Sequence, residues 1–172
     1  MTPLRGTPYA GYAYAYPHKT TYRMLHPSPR LGEVWGEEAR GPLFLYLHVP
    51  FCEMRCGFCN LFTTANPAEG KVAAYLDALE AEAEAVRREL GPLQVARMAI
   101  GGGTPTYLEP AQLRRLLTVA TGLGWHAMAG ASVETSPTTA TQERLEVLRH
   151  AGVTRISMGI QTFDDGFLRL MG

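Results

Sequence analysis

The chain has 172 residues, 46% of them hydrophobic, and its sixteen basic residues balance sixteen acidic ones. This composition predicts one globular domain with a sizeable core and argues against disorder. The neutral balance, without a Lys/Arg cluster, excludes the electrostatic signature of a protein that binds nucleic acid or an anionic membrane surface. The sequence also lacks a signal-peptide core and an apolar run of membrane-spanning length, so we expect a cytoplasmic protein whose thiols stay reduced.

The first 42 residues carry much of the tyrosine and proline of the chain and show no long periodicity. Tyr12, Tyr14 and Tyr16 alternate as they would in a short strand, and residues 31–39 favour one or two helical turns. We therefore expect an N-terminal arm over residues 1–42 that packs on a domain formed by residues 43–172.

From residue 43 onward, strand patterns and helix patterns alternate. The first pattern is a continuous apolar run, typical of a strand buried on both faces. Gly91-Pro92 ends the first long helix, and the third helix is predicted to have a threonine N-cap and Gly152 in its C-cap position. The predicted strands are 43–49, 95–103, 129–137 and 153–163, and the predicted helices are 67–90, 109–124, 138–152 and 164–172.

Four β–α units in alternation predict an α/β fold with a parallel sheet, either doubly wound or a barrel. A TIM-type barrel is favoured because each strand ends in polar or glycine residues, and barrel enzymes build their active sites at those ends. The last helix pattern is short and leaves the fourth strand without a next neighbour, so we expect a partial barrel, the N-terminal part of a longer protein. The strand-end segments are 52–59, 101–104, Glu134 and Gln161.

All three cysteines, Cys52, Cys56 and Cys59, lie within eight positions directly after the first predicted strand. In a reducing compartment such a cluster favours a metal or redox site over a disulfide. Three interpretations are open: zinc with His48 as its fourth ligand, a Cys56–Cys59 redox dithiol, and a [4Fe–4S] cluster held by three thiolates. The dithiol leaves Cys52 unexplained, and His48 would have to bind zinc from within a strand.

The cysteine spacing C-x3-C-x2-C, followed by GGGTPTYL at the end of the next strand, resembles the radical S-adenosylmethionine (SAM) superfamily. The segments YLHVPFCEMRCGFC, GGGTPTYL, VETSP and GVTRISMGIQTF, in this order, are similar to the group of oxygen-independent coproporphyrinogen III oxidases and HemW-like proteins. The resemblance covers residues 43–172.

This resemblance implies that the cofactors are a [4Fe–4S] cluster and SAM. Cys52, Cys56 and Cys59 would bind three irons, and the amino and carboxylate groups of SAM would bind the fourth. Glu134 would contact SAM from the third strand.

The glycine-rich segment would run along the methionine part of SAM, through Gly102, Gly103 and Thr104. Glycine suits that position because a side chain would block the approach of the backbone to a ligand. A simple turn between a strand and a helix would explain one glycine but not three in a row.

Three further residues match positions with a role in the family. Tyr46 and Phe58 match positions that line the SAM site, although from the residues alone each is an ordinary core aromatic. Gln161 matches a residue that contacts a second SAM in the coproporphyrinogen oxidase. Arg155 is expected in the barrel interior or at its rim and has no assigned role.

The family's reaction begins with one-electron reduction of the cluster and reductive cleavage of SAM to methionine and a 5′-deoxyadenosyl radical. The radical then abstracts hydrogen from a substrate held in the barrel. For this chain the resemblance implies a small-molecule substrate, porphyrin-like or otherwise, and a reductant such as flavodoxin or ferredoxin. It identifies no catalytic residue.

One residue separates the chain from the coproporphyrinogen oxidase, which carries a fourth cysteine two residues after the third. Leu61 stands at that position. The substitution moves the resemblance toward the HemW-like proteins, for which haem binding or transfer is implied. Three functions are therefore considered: a radical SAM enzyme, a haem-binding protein with cluster and SAM, and an inactive fragment.

Overall fold

The computed structural model describes residues 23–24, 26–36 and 41–171. The strand predicted around Tyr12, Tyr14 and Tyr16 lies outside these residues. The strands are β1 (Leu43–Val49), β2 (Phe51–Cys52), β3 (Thr64–Ala65), β4 (Val95–Gly102), β5 (Gly130–Thr135) and β6 (Arg155–Met158), and the helices are α1 (Leu31–Trp35), α2 (Lys71–Leu90), α3 (Pro110–Gly122), α4 (Gln142–His150) and α5 (Asp165–Met171).

Two helices begin later than the sequence pattern predicts, each for a local reason. Helix α2 begins at Lys71 because Gly70, at φ 79°, is outside the helical conformation. Helix α4 begins at Gln142 because the Thr141 side chain caps it by accepting a hydrogen bond from the backbone N–H of Arg144. The threonine cap is thus confirmed, while Gly152 follows the C-cap residue Ala151 and adopts the left-handed φ of 92°.

The four main strands form one parallel sheet in the order β1-β4-β5-β6. Each strand pairs with the next one in this series, so the crossovers all move in one direction, as they do in a barrel. A doubly wound sheet would reverse its strand order at a switch point. The partial-barrel α/β architecture predicted from the sequence is confirmed.

Helices α2, α3 and α4 cover one face of the sheet, and the core lies between them and the strands. Leu47, Val49 and Ile100 point into this core with at most 4% of their surface exposed. The prediction that β1 is buried on both faces was wrong. Phe44 and Tyr46 are 63% and 51% exposed, because their side chains lie on the face opposite the helices.

The segment before β1 includes helix α1, which falls within the helical turns predicted at 31–39. Arg30 forms an ion pair of 2.7 Å with Glu89 of α2, and this contact holds the short helix against the domain. The proposed boundary at residue 42 stays a prediction. Among the described residues, no helix combines the length and the apolar character needed to cross a membrane.

Strand β6 is shorter than predicted and ends at Met158. Gln161, predicted near the end of this strand, instead lies in the exposed segment that leads to α5. The apolar pattern of residues 159–163 therefore does not extend the ladder.

Candidate functional site: a three-cysteine loop beside a glycine-rich strand end

The three cysteines lie on a loop that leaves the sheet after β2 and returns at β3. These two short strands pair in parallel, Phe51 with Thr64 and Cys52 with Ala65, and so close the base of the loop. Two further backbone hydrogen bonds tighten this base, Thr64 N–H to the Pro50 carbonyl at 2.6 Å and Asn66 N–H to the Cys52 carbonyl at 3.0 Å. The loop therefore projects from the carboxyl end of β1 with a fixed root.

All three cysteines are free thiols of intermediate exposure. Burial raises the pKa of the Cys52 thiol, a hydrogen bond from Thr104 opposes this shift, and the neighbouring Cys59 and Cys56 thiols add to it. Cys52 thus lies within electrostatic range of both other thiols. Across the described ranges, no three His, Cys, Asp or Glu side chains converge as ligands of one metal ion.

Three free thiols from one short segment have the donor chemistry that a [4Fe–4S] cluster takes. The zinc interpretation required His48 as a fourth ligand, and both ring nitrogens of His48 have other partners. They lie 3.2 Å from the Tyr46 hydroxyl and 3.0 Å from the Phe62 carbonyl oxygen. The donor chemistry therefore fits the cluster better than zinc.

The glycine-rich end of β4 packs directly against the root of the cysteine loop. Gly103 N–H donates to the Val49 carbonyl and Thr104 N–H to the Phe51 carbonyl, both at 2.7 Å. A Cβ atom on Gly103 would stand 2.6 Å from the Phe51 carbonyl oxygen and 2.9 Å from Cys52 Sγ. Glycine is required here because the two backbones approach each other too closely for a side chain.

Thr104 continues this contact through its side chain, whose hydroxyl donates to Cys52 Sγ at 3.6 Å. The predicted SAM contacts Gly103 and Thr104 therefore lie beside the first cysteine.

Gly102 has a backbone φ of 110°, which side-chain-bearing residues rarely adopt. The imidazole ring of His48 occupies the space that a Gly102 Cβ would need, 2.5 Å from the His48 Cε1 atom. The Gly102 N–H donates to Glu134 Oε2 at 3.1 Å. Glu134, at the end of β5, is thus tied to the glycine segment that the sequence predicted as its partner in the site.

Tyr46 lies on the same face of the sheet as Glu134. Partial burial and the Glu134 carboxylate together raise the pKa of the Tyr46 phenol. At 51% exposure Tyr46 is not a core residue, which removes the ordinary explanation for an aromatic in this strand. Phe58, on the cysteine loop, is 52% exposed and likewise lies outside the core.

Three further residues named in the sequence analysis are exposed, and two of them lie on or after β6, away from the cysteine loop. Gln161 lies in the exposed segment after β6, and Arg155 is exposed on β6. Leu61 is 51% exposed on the returning arm of the cysteine loop. The roles of all the named residues in binding SAM stay predictions.

Sequence reasoning missed several residues that shape the site. His48 was considered only as a zinc ligand, yet its ring contacts Tyr46, Gly102 and the Phe62 carbonyl. A group of hydroxyl side chains after β4 and β5 was missed as well. Their signal in the sequence is the density of Thr and Ser in residues 104–106 and 135–141, directly after two strands.

Tyr75 of α2 supports β1 from the helical side. Its hydroxyl donates to the His48 carbonyl oxygen, and its ring meets Phe51 edge to face at a centroid distance of 5.3 Å. Burial, with smaller contributions from Glu82 and Tyr46, raises the pKa of Tyr75 from its usual 10.0 to about 12.

A folded-state pKa above the unfolded one means that the folded chain keeps the Tyr75 proton when the unfolded chain has lost it. The free energy of unfolding is then expected to fall as the pH rises from about 10 to about 12. Tyr75→Phe should remove this part of the slope and cost about 1 kcal/mol below pH 9. Urea unfolding of both proteins across this pH range measures the difference, and parallel pH profiles would contradict the assignment.

The comparisons with known proteins identify the family and the fold. A family model described as the radical SAM superfamily matches residues 46–172. The oxygen-independent coproporphyrinogen III oxidase of Cereibacter sphaeroides is 42% identical over 128 residues, which cover 73% of this chain and 28% of the relative. The Escherichia coli protein of the same name is 34% identical over 93% of this chain and 36% of its own length.

Two further comparisons extend this result. The heme chaperone HemW of Bacillus subtilis is 35% identical over 74% of this chain and 34% of the relative. The solved structure of E. coli coproporphyrinogen III oxidase (HemN), described as a radical SAM enzyme, superimposes with a TM-score of 0.71 at 37% identity, over 77% of this chain and 32% of that one.

The chain spans about a third of the length of these curated relatives. Within that span, the fold matches the barrel of HemN, and the family model covers the cysteine loop, the glycine segment and β5. The chain therefore belongs to the radical SAM superfamily, among relatives named oxygen-independent coproporphyrinogen III oxidase and HemW.

Proposed function

We propose that the protein holds a [4Fe–4S] cluster through Cys52, Cys56 and Cys59, binds SAM beside it, and cleaves SAM reductively. The observation that carries this proposal is the contact between the cysteine loop and the glycine segment, in which Gly103 and Thr104 pack against Cys52. When bound, the reduced cluster supplies the electron that splits SAM into methionine and a 5′-deoxyadenosyl radical for hydrogen abstraction from the substrate.

The residues of the chain have separate tasks in this scheme. The Thr104 hydroxyl stabilises the thiolate form of Cys52, since its hydrogen bond lowers the pKa of that thiol against the effect of burial. The backbone of Gly102 and Gly103 would run along the methionine part of SAM, with no side chain of its own to hinder the ligand. Three thiolates leave one iron for the amino and carboxylate groups of SAM.

Glu134 is proposed to accept a hydrogen bond from the amino group of SAM while it also accepts the hydrogen bond from the Gly102 N–H. A carboxylate has two oxygens, and only Oε2 is used by Gly102. Tyr46 and Phe58 would shield the site from water with their half-exposed rings. Gln161 is kept as a candidate contact for a second SAM.

A small-molecule substrate and a reductant such as flavodoxin or ferredoxin complete the proposal. The relatives named coproporphyrinogen III oxidase make a porphyrin-like substrate the first one to test. The direct test is the formation of 5′-deoxyadenosine from SAM by the anaerobically reconstituted, dithionite-reduced protein. Cluster-loaded protein that forms none under these conditions would refute the enzymatic proposal.

Haem binding is the second candidate, and one observation favours it. Leu61, half-exposed on the cysteine loop, occupies the position of the oxidase's fourth cysteine, and one relative is named a heme chaperone. Titration with haem separates the two candidates. A stoichiometric Soret complex without any SAM cleavage would replace the enzymatic proposal by the haem-binding one.

Glu134→Gln tests the proposed contact with the SAM amino group. Glutamine keeps an acceptor oxygen for the Gly102 N–H and removes only the charge, so the free energy of unfolding should change by less than about 1 kcal/mol. The Kd for SAM should rise about tenfold, because a charge-assisted hydrogen bond is lost. Calorimetric titration of the cluster-loaded protein measures it.

Glu69→Gln is the matched control for this variant, since Glu69 is an exposed glutamate in the turn before α2. Its SAM affinity should equal that of the wild type. Equal affinities for all three proteins would exclude a charge contact between Glu134 and SAM.

A further inference from the structure

A buried cluster of hydroxyl groups joins the segments that follow β4 and β5. Thr106, Thr135 and Thr139 are 0%, 6% and 3% exposed. The Thr106 hydroxyl lies 2.6 Å from both the Thr135 and the Thr139 hydroxyls, so it can donate to one of them and accept from the other. Thr106 is therefore the centre of the cluster.

The two segments joined by Thr106 are the ones that carry the proposed SAM contacts. Two residues before Thr106, Thr104 donates to Cys52 Sγ at 3.6 Å. One residue before Thr135, Glu134 accepts from the Gly102 N–H at 3.1 Å. The cluster thus fixes the glycine segment and the end of β5 relative to each other, directly beneath the residues that would touch the ligand.

A second connection runs from the cluster to the cysteine loop at the surface. The Ser136 hydroxyl lies 2.8 Å from the Thr139 hydroxyl and 3.1 Å from the Thr138 hydroxyl. Thr138 in turn donates to Glu53 Oε2 at 2.7 Å. Glu53 directly follows Cys52, so the chain of hydroxyl groups links the end of β5 back to the root of the cysteine loop.

Packing alone does not explain this arrangement. Valine has nearly the shape of threonine and would fill the same space without the cost of burying hydroxyl groups. A network of buried hydrogen bonds instead specifies distances and directions between the segments that it joins, and it loses energy when those segments shift. Such a constraint is useful where two strand ends must contact one ligand together.

We propose that Thr106 is a positioning residue for SAM, which sets the spacing between the glycine segment and Glu134 through Thr135 and Thr139. This inference rests on the proposed function, because it concerns the same SAM site. Thr106 acts through its neighbours and does not touch the ligand.

The test is the Kd for SAM, measured by calorimetric titration of cluster-loaded protein, for the wild type, Thr106→Val and Thr106→Ser. Thr106→Val should keep the iron content of the wild type. It should raise the Kd for SAM about tenfold, because both hydrogen bonds of the Thr106 hydroxyl are lost. Thr106→Ser keeps the hydroxyl and should restore the Kd to within about twofold of the wild type. Thr139→Val removes one of the two hydrogen bonds of Thr106, together with the bond between Thr139 and Ser136. It should give an intermediate Kd, which keeps the test open if Thr106→Val fails to fold.

Leu116→Val is the control for a general loss of stability. Leu116 is fully buried in α3 and has no part in the hydroxyl cluster, so its truncation should lower the unfolding midpoint and leave the Kd unchanged. The inference is overturned if Thr106→Val binds SAM as the wild type does, or if Leu116→Val weakens SAM binding equally. A wild type that does not bind SAM at all would refute the proposed function and this inference with it.

Discussion

Cys56→Ala is expected to lose most of the iron that the wild-type protein retains after anaerobic reconstitution. The wild type should hold about four irons per chain and show the broad absorbance near ~400 nm of such clusters. With three cysteines in the chain, removal of one leaves two thiolates. In the part of the chain that the structure describes, His48 does not replace the lost ligand, because its ring is engaged with Tyr46 and Phe62. Iron analysis and the absorption spectrum measure the loss.

Arg55→Ala is the matched control, because Arg55 is an exposed residue next to Cys56 on the same loop. It should retain the iron content of the wild type. Unchanged iron in Cys56→Ala would refute ligation by this thiol, and a wild type that holds no iron would favour the inactive-fragment interpretation.

Gly102→Ala is expected to destabilise the protein by about 3 kcal/mol and to abolish SAM binding. The Gly102 backbone has a φ of 110°, which alanine rarely adopts. The new methyl group would also lie 2.5 Å from the His48 ring. Forcing a non-glycine residue into this conformation costs about 1–3 kcal/mol. Displacing His48 would further break its hydrogen bonds to Tyr46 and Phe62, at about 1 kcal/mol each. Urea unfolding and SAM titration measure the two effects.

Gly122→Ala provides the comparison, because a Cβ on Gly122 meets no atom within 4 Å at the end of α3. Alanine there should be neutral or stabilising by up to about 1 kcal/mol. If the two variants unfolded at the same urea concentration, the close packing of His48 on Gly102 would not contribute to stability.

The sequence correctly predicts the alternation of strands and helices. Apolar runs and helical spacing identify the four main strands and the helices between them, and glycine-rich strand ends favour the barrel over a doubly wound sheet. The two-residue strands β2 and β3 could not be predicted, since periodicity needs a longer segment. The one-sided burial of β1 was missed because an apolar run does not reveal that Phe44 and Tyr46 face away from the helices.

For the site as well, the sequence predicts the features that are contiguous in the chain and misses the contacts between distant segments. Spacing and glycine content predict the cysteine loop and the glycine segment, because these signals are contiguous in the chain. The structure adds the direct bond between Gly102 and Glu134, which are 32 residues apart. His48 and the Thr106 cluster depend on partners from separate segments. The sequence shows the dense Thr and Ser after β4 and β5, but it does not show which of these residues meet.

The end of β6 shows how local patterns can also mislead. The predicted strand 153–163 has apolar side chains at every second position from Ile156 to Ile160, yet the ladder ends at Met158. Gly159 N–H donates to the Thr135 carbonyl oxygen at 3.0 Å, and the chain then leaves the sheet. The position of Gln161 relative to the site therefore could not be derived from its place in the pattern.

The central claim is that three thiolates of this chain hold a cluster whose open iron binds SAM. Low-temperature electron paramagnetic resonance of the reduced, reconstituted protein tests it most directly, with and without SAM. We expect a [4Fe–4S]⁺ signal in the wild type that changes when SAM is added and is lost in Cys56→Ala. A wild-type signal that is the same with and without saturating SAM would contradict it.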